Sequence, residues 1–144
     1  MTLVPASWLV VGMSVALLAG CGGEPSAEDL LEKSRAMPDL YAFGALYVPL
    51  YQQAMADSNW APIRAQISEL VRIKQRINAL DVPDAIRMKR NDWESYQRLF
   101  TRAVDNLAVV VTWDEERIQE NLTEVVEGVQ RAYDWWQMLV EMLP

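Results

Sequence analysis

An all-α fold is predicted from this sequence: an up-down-up-down antiparallel four-helix bundle whose first helix is kinked or split near Pro38 and Pro49. Three observations predict it. Apolar residues recur at three- and four-residue spacing over most of residues 27–144. Alternation of the kind a half-buried strand needs runs no longer than a few residues. The breaks between helical stretches, at 57–61, 81–84 and 111–113, are short, which favours antiparallel neighbours. With 144 residues, of which 51% are hydrophobic and 23% charged, the chain suffices for one domain with a substantial core.

Taken in order, Ser26 can cap a helix over Ala27 to Met37, Pro38 interrupts it, and Asp39 to Ala56 resumes helical composition with Pro49 inside. Leu40 to Ala56 carries no charge and includes Tyr41, Phe43, Tyr47 and Tyr51, so this segment is expected inside the bundle; it is too short and too polar for a comfortable membrane span. Ile63, Ile67, Leu70, Ile73 or Lys74, Ile77 and Leu80 mark the next helix, entered through Asp57-Ser58 with Pro62 in its first turn and left at Asp81-Val82-Pro83. A helix from about Asp84 to Val111 follows, with Ile86, Trp93, Tyr96, Phe100, Ala103, Leu107 and Val110 on its core seam and Lys89 at the one seam position that is not apolar. The last helix opens on Thr112-Trp113-Asp114-Glu115, read as a capping box, and carries Ile118, Leu122, Val125, Val129, Ala132, Trp136, Leu139 and Leu143 at unbroken 4-3-4-3 spacing.

The first twenty residues are of a different kind. Thr2 to Gly20 contain no charged side chain, and the apolar run Trp8 to Leu18 has the length of a signal-peptide core. It closes on Leu18-Ala19-Gly20-Cys21, and Cys21 is the only cysteine, so no disulfide forms within the chain. This run resembles the lipobox of bacterial lipoproteins. The resemblance covers about twenty residues and implies cleavage before Cys21, diacylation of that cysteine as the new first residue, and stable anchoring, because two or three acyl chains hold where one is marginal. Residues 1–20 are then the signal peptide, 21–26 the lipidated cysteine and a flexible tether, and 27–144 the helical domain. Gly22 after the cysteine resembles the outer-membrane sorting pattern if the host is Gram-negative, giving a periplasm-facing protein. Beyond the lipobox, the helical part looks like many small bacterial lipoproteins, a likeness of composition that transfers no functional residue.

Absent residue types narrow the chemistry. Without histidine there is no Ser-His-Asp triad, no Cys-His nucleophile, no histidine-ligated zinc and no Glu-x-x-His di-iron site. Met37, Met55, Met88, Met138 and Met142 lack tight pairing and read as core filling. Asp92 and Glu94 do not share a helix face, and Asp81 and Asp84 read as turn and cap residues. No enzyme activity, cofactor or metal is expected, and the net charge of −7 argues against nucleic acid.

Charge is uneven: residues 64–102 carry nine Lys/Arg against five Asp/Glu, and residues 103–144 two against nine. The negative last helix can lie beside the positive middle. In the expected topology the basic hairpin of Arg72, Lys74, Arg76, Arg87, Lys89 and Arg90 lies at the same end as the tether and Trp135, forming a face suited to anionic lipid headgroups or a partner. The leading functional expectation is a membrane-anchored, non-catalytic interaction or structural module for an envelope protein. The alternative is a small-molecule binder whose apolar pocket is lined by Tyr41, Phe43, Tyr47, Tyr51, Trp60 and Trp93.

Overall fold

The computed structural model describes Ser26, Glu28 and residues 37–144. The expected signal peptide, the expected lipobox with Cys21, the expected tether up to Pro25 and most of the expected helix over Ala27 to Met37 lie outside the described residues; Glu28 itself is helical. Residues from Ala36 to Pro144 form a unit of their own, all-helical among its described residues.

Helix α1 spans Pro38–Asp57 as one element that runs through Pro49. Pro38 therefore opens this helix, where its fixed φ and missing N–H cost nothing, and Met37 before it is not helical (φ −133°, ψ 63°). Pro38 thus stands at the start of a helix that continues through Pro49. Ser58 ends α1 in the left-handed region at φ 50°, and the Asn59 side-chain oxygen accepts from Ala61 N–H to start the next helix. The uncharged segment does not sink into the core on all sides. Leu40, Phe43, Gly44, Tyr47 and Ala54 are buried, while Ala42, Ala45, Pro49, Gln52 and Gln53 face solvent.

Helix α2, Ala61–Asn78, buries Ile63, Leu70, Ile73, Lys74 and Ile77. The next helix does not begin at Asp84. Residues Asp84–Lys89 form a 3-10 segment in which Ile86 leaves helical geometry (φ −124°, ψ 24°) and buries its side chain, so α3 spans Arg90–Val110. Lys89, expected on the seam, is exposed; the polar residues in the core are Lys74 and Gln97.

The expected capping box at Thr112 does not form. Thr112 instead closes α3, its hydroxyl donating to the Ala108 and Val109 carbonyls at 2.9 Å. Asp114 is the N-cap, accepting from Arg117 N–H at 2.8 Å. Nor is the last helix continuous: α4, Glu115–Glu120, ends at Asn121 (φ −124°, ψ 37°), whose amide donates back to the Arg117 carbonyl, and α5 spans Leu122–Met142. On the expected seam Ile118, Val125, Val129, Ala132 and Leu139 are buried, Trp136 and Leu143 are half-buried, and Leu122 is exposed.

Each long helix packs against two others, α1 on α2 and α5, and α3 on α2 and α5. The α1–α5 contact includes a close approach at Gly44. A Cβ on Gly44 would lie 2.7 Å from Cη2 and 2.8 Å from Cε2 of Trp136, with Cζ2 nearer still. The same indole donates from Nε1 to the Leu40 carbonyl at 2.8 Å.

Two substitutions test these backbone assignments by urea denaturation. Gly44→Ala lowers stability by about 1–3 kcal/mol through overpacking, although alanine is the better helix residue by about 1 kcal/mol; in a Trp136→Ala background the same change becomes neutral or stabilising. Ser58→Gly raises stability by about 1 kcal/mol because glycine occupies the left-handed region freely.

Candidate interaction surface

The six aromatics expected to line a pocket are core residues. Phe43, Tyr47 and Trp93 have no exposed surface, Trp60 is 4% exposed, and Tyr41 and Tyr51 are half-buried. Their rings pack on one another and on other aromatics: Phe43 meets Phe100 edge-on at 4.9 Å and Tyr47 at 5.3 Å, and Tyr51 stacks on Tyr133 at 4.3 Å. Tyr47 donates to the Val129 carbonyl at 2.6 Å and Tyr51 to the Gln130 side-chain oxygen at 2.7 Å, so both phenols tie α1 to α5. The indole N–H groups of Trp60 and Trp93 are buried without an acceptor among the described residues.

The basic residues divide. Arg76 pairs with Asp39 at 2.8 Å and Trp136 reaches Leu40, which brings the last turn of α2, the start of α1 and Trp136 of α5 together. Arg72 pairs with Glu69, Arg87 with Asp84 and Arg90 with Glu94. Lys74 is not on the surface: its stem is buried and its ammonium meets Asp105 of α3 at 2.7 Å. That leaves Lys89 as the cation of the six without an ion pair among the described residues, next to Met88, whose side chain is fully exposed. Trp135 is half-buried and packs against Tyr96 with ring centroids 5.8 Å apart. The carboxylates of Asp81, Asp84, Asp92 and Glu94 are on exposed residues. Among the described residues no group of three or more His, Cys, Asp or Glu is arranged to hold a metal ion, and no helix is long and apolar enough to cross a membrane.

A surface feature not anticipated from the sequence lies between α3 and α5. A groove of about 570 Å³ runs along their outer seam, with Leu99, Ala103, Val110, Trp113 and Trp135 as its apolar lining and Arg102, Asn106, Glu124, Glu127 and Arg131 around it. Beneath it Gly128 lets α5 pack closely on α3, since a Cβ there would stand 3.2 Å from Val110 Cγ2 and 3.6 Å from Asn106 Nδ2. Trp113 is held at one end by Arg117, whose guanidinium lies 4.2 Å from the ring centroid, while Arg64 donates to the Val111 and Trp113 carbonyls and fixes the turn that carries it. None of the six expected pocket aromatics lines this groove. A helix-face reading could have found it, because Leu99, Arg102, Asn106, Val110 and Trp113 follow three- and four-residue spacing beside the core seam.

No protein-family model matches the chain, and neither does any curated protein or solved structure compared with it.

The burial of Tyr47 has a measurable consequence. Loss of solvation, reinforced by Tyr51 and Asp134, holds its phenol above the ordinary value of 10.0, and burial raises Tyr41 as well. Above pH 10 the unfolded chain releases this proton and the folded chain keeps it, so the stability Tyr47 contributes is complete below that pH and is lost as pH rises beyond it. Tyr47→Phe costs about 1 kcal/mol at neutral pH from the lost hydrogen bond, and its urea midpoint falls less steeply above pH 10 than that of the native chain. Equal slopes would mean that Tyr47 ionises freely, as a pocket residue open to water would.

Proposed function

We propose that this chain is a membrane-anchored bacterial envelope lipoprotein whose helical domain acts as a non-catalytic interaction module. The observation that carries the reading is Leu18-Ala19-Gly20-Cys21 at the close of an uncharged apolar run, with Cys21 the only cysteine. In a Gram-negative host the domain faces the periplasm from the outer membrane. The four long helices form an up-down-up-down bundle, a topology supported by Asp39 meeting Arg76, Gln97 meeting the end of α2, Tyr96 meeting Trp135 and Trp136 meeting Leu40.

The α3–α5 groove is the surface this module offers. Two half-buried tryptophans, a charged rim and an apolar floor are the composition that protein interfaces favour. The six aromatics considered for a ligand pocket are committed to packing, so a small-molecule reading would have to use this groove instead.

Labelling full-length chain and a Cys21→Ala variant with a palmitate analogue, followed by membrane fractionation, tests the anchor. Label and membrane retention are both expected to disappear in the variant. Identical behaviour of the two chains would overturn lipidation at Cys21 and the envelope assignment with it.

A further inference from the structure

The charges around the groove are sorted along its length. Gly128 faces Asn106 and Val110, and Trp135 meets Tyr96, so α3 and α5 run in opposite directions and the levels of the groove can be read in order. At one end stand Leu99 and Trp135, then Arg102 and Arg131, then Asn106 and Glu127, then Val110 and Glu124, and Trp113 closes the other end. Arg102 is four residues from Asn106 and Glu124 four from Gly128, so each lies about 6 Å from the middle of the groove, on opposite sides of it. Arg131 pairs with Glu127 at 3.4 Å, whereas Arg102 and Glu124 make no ion pair among the described residues. Two exposed apolar side chains extend the same face: Val109, on the α3 stripe of Arg102 and Trp113, and Met138, on the α5 stripe of Arg131 and Trp135.

We propose that the groove is the interface with a second copy of this chain, the two related by a two-fold axis lying across the groove at the level of Gly128. Rotation about that axis sets the Arg102 and Arg131 level of one copy over the Val110 and Glu124 level of the other, with Arg131 over Glu124 on the α5 wall and Glu127 close to the axis, and the Trp135 end over the Trp113 end. An axis along the groove would instead stack cation on cation and acid on acid, so the charge pattern selects one orientation. A surface that complements itself in this way is the requirement of an isologous dimer. Covering it also removes Val109 and the two tryptophans from water, the apolar contribution that charge pairing alone does not supply. The proposal rests on reading the groove as the module's interaction surface.

Two variants of the full chain test it, both altered at exposed rim residues. Arg102→Glu with Arg131→Glu makes the rim wholly acidic; Glu124→Arg with Glu127→Arg makes it wholly basic. Association is measured by sedimentation velocity in detergent and by co-precipitation of differently tagged copies, with circular dichroism as the check on folding. The native chain is expected to self-associate and to dissociate as salt is raised. Each variant alone should associate roughly tenfold more weakly or worse, and a mixture of the two should associate again. A monomeric native chain overturns the proposal, as does equal association of all the chains, which would locate the contact outside the groove. Loss of some other protein from the native chain's precipitate on altering the groove, with no self-association, would replace the second copy by that partner. Cys21-dependent labelling is read separately, so a chain that is anchored but monomeric fails here while the lipoprotein reading stands.

Discussion

The indole of Trp136 occupies the space where a side chain at position 44 would be, and the arrangement of the helices depends on that substitution of one residue's bulk for another's absence. Helix α1 has little to orient it otherwise. Its solvent face is made of Ala42, Ala45, Pro49 and glutamines, and no charge marks the outside between Leu40 and Ala56. A stripe of apolar residues opposed by small uncharged ones leaves the rotation of a helix weakly determined. Three polar tips on aromatic rings determine it instead: Trp136 to the Leu40 carbonyl, Tyr47 to the Val129 carbonyl and Tyr51 to Gln130. Each hydrogen bond is worth only about 1 kcal/mol net, but each is directional, and together they admit one register of α1 on α5.

The other side of the domain is held by a different device. Gln97, in the middle of a buried face of α3, donates from one amide nitrogen to the Ile77 and Leu80 carbonyls at 2.9 Å each. These are carbonyls at and beyond the end of α2, where intrahelical donors run out. Lys74 and Asp105 tie the same two helices further along, and Arg64 satisfies the Val111 and Trp113 carbonyls beyond the far end of α3. The ends of α2 and α3 are therefore closed in part by long polar side chains from neighbouring helices, alongside local closures by Asn59, Thr112, Asp114 and Asn121.

That reliance on distant partners explains what the sequence revealed and what it did not. Periodicity identified the core faces of α2, α3 and α5, because Ile63, Leu70, Ile77, Phe100, Leu107, Val125, Val129 and Leu139 are buried for the same reason they recur at helical spacing. Boundaries were less legible. Thr112 and Asp114 are both good cap residues, and only the geometry of the α3 terminus decides that the threonine turns back while the aspartate caps α4. Asn121 breaks a pattern whose apolar spacing runs through it uninterrupted. The uncharged aromatic segment suggested a pocket because ring-rich composition is common to pockets and cores, and the choice between them depends on cross-helix neighbours separated by about eighty residues in sequence. Of the groove only the α3 wall was legible, from its three- and four-residue spacing, because the opposing wall comes from a separate helix.

The uneven distribution of charge takes on a different meaning once the helices are placed. A basic middle and an acidic last third suggest helices held together by opposite charge, yet among the described residues no ion pair joins α5 to α2 or α3. Most pairs are local, three or four residues apart on one helix, and such exposed pairs add well under about 1 kcal/mol each. Apolar packing and the aromatic hydrogen bonds hold α5 in place without them. The charge segregation along the chain is therefore left largely unspent inside the domain. Where α3 and α5 meet the solvent it survives as a groove with Arg102 and Arg131 toward one end and Glu124 toward the other, and the charges of Arg102 and Glu124, which make no ion pair among the described residues, are available to select the orientation of whatever lies against it.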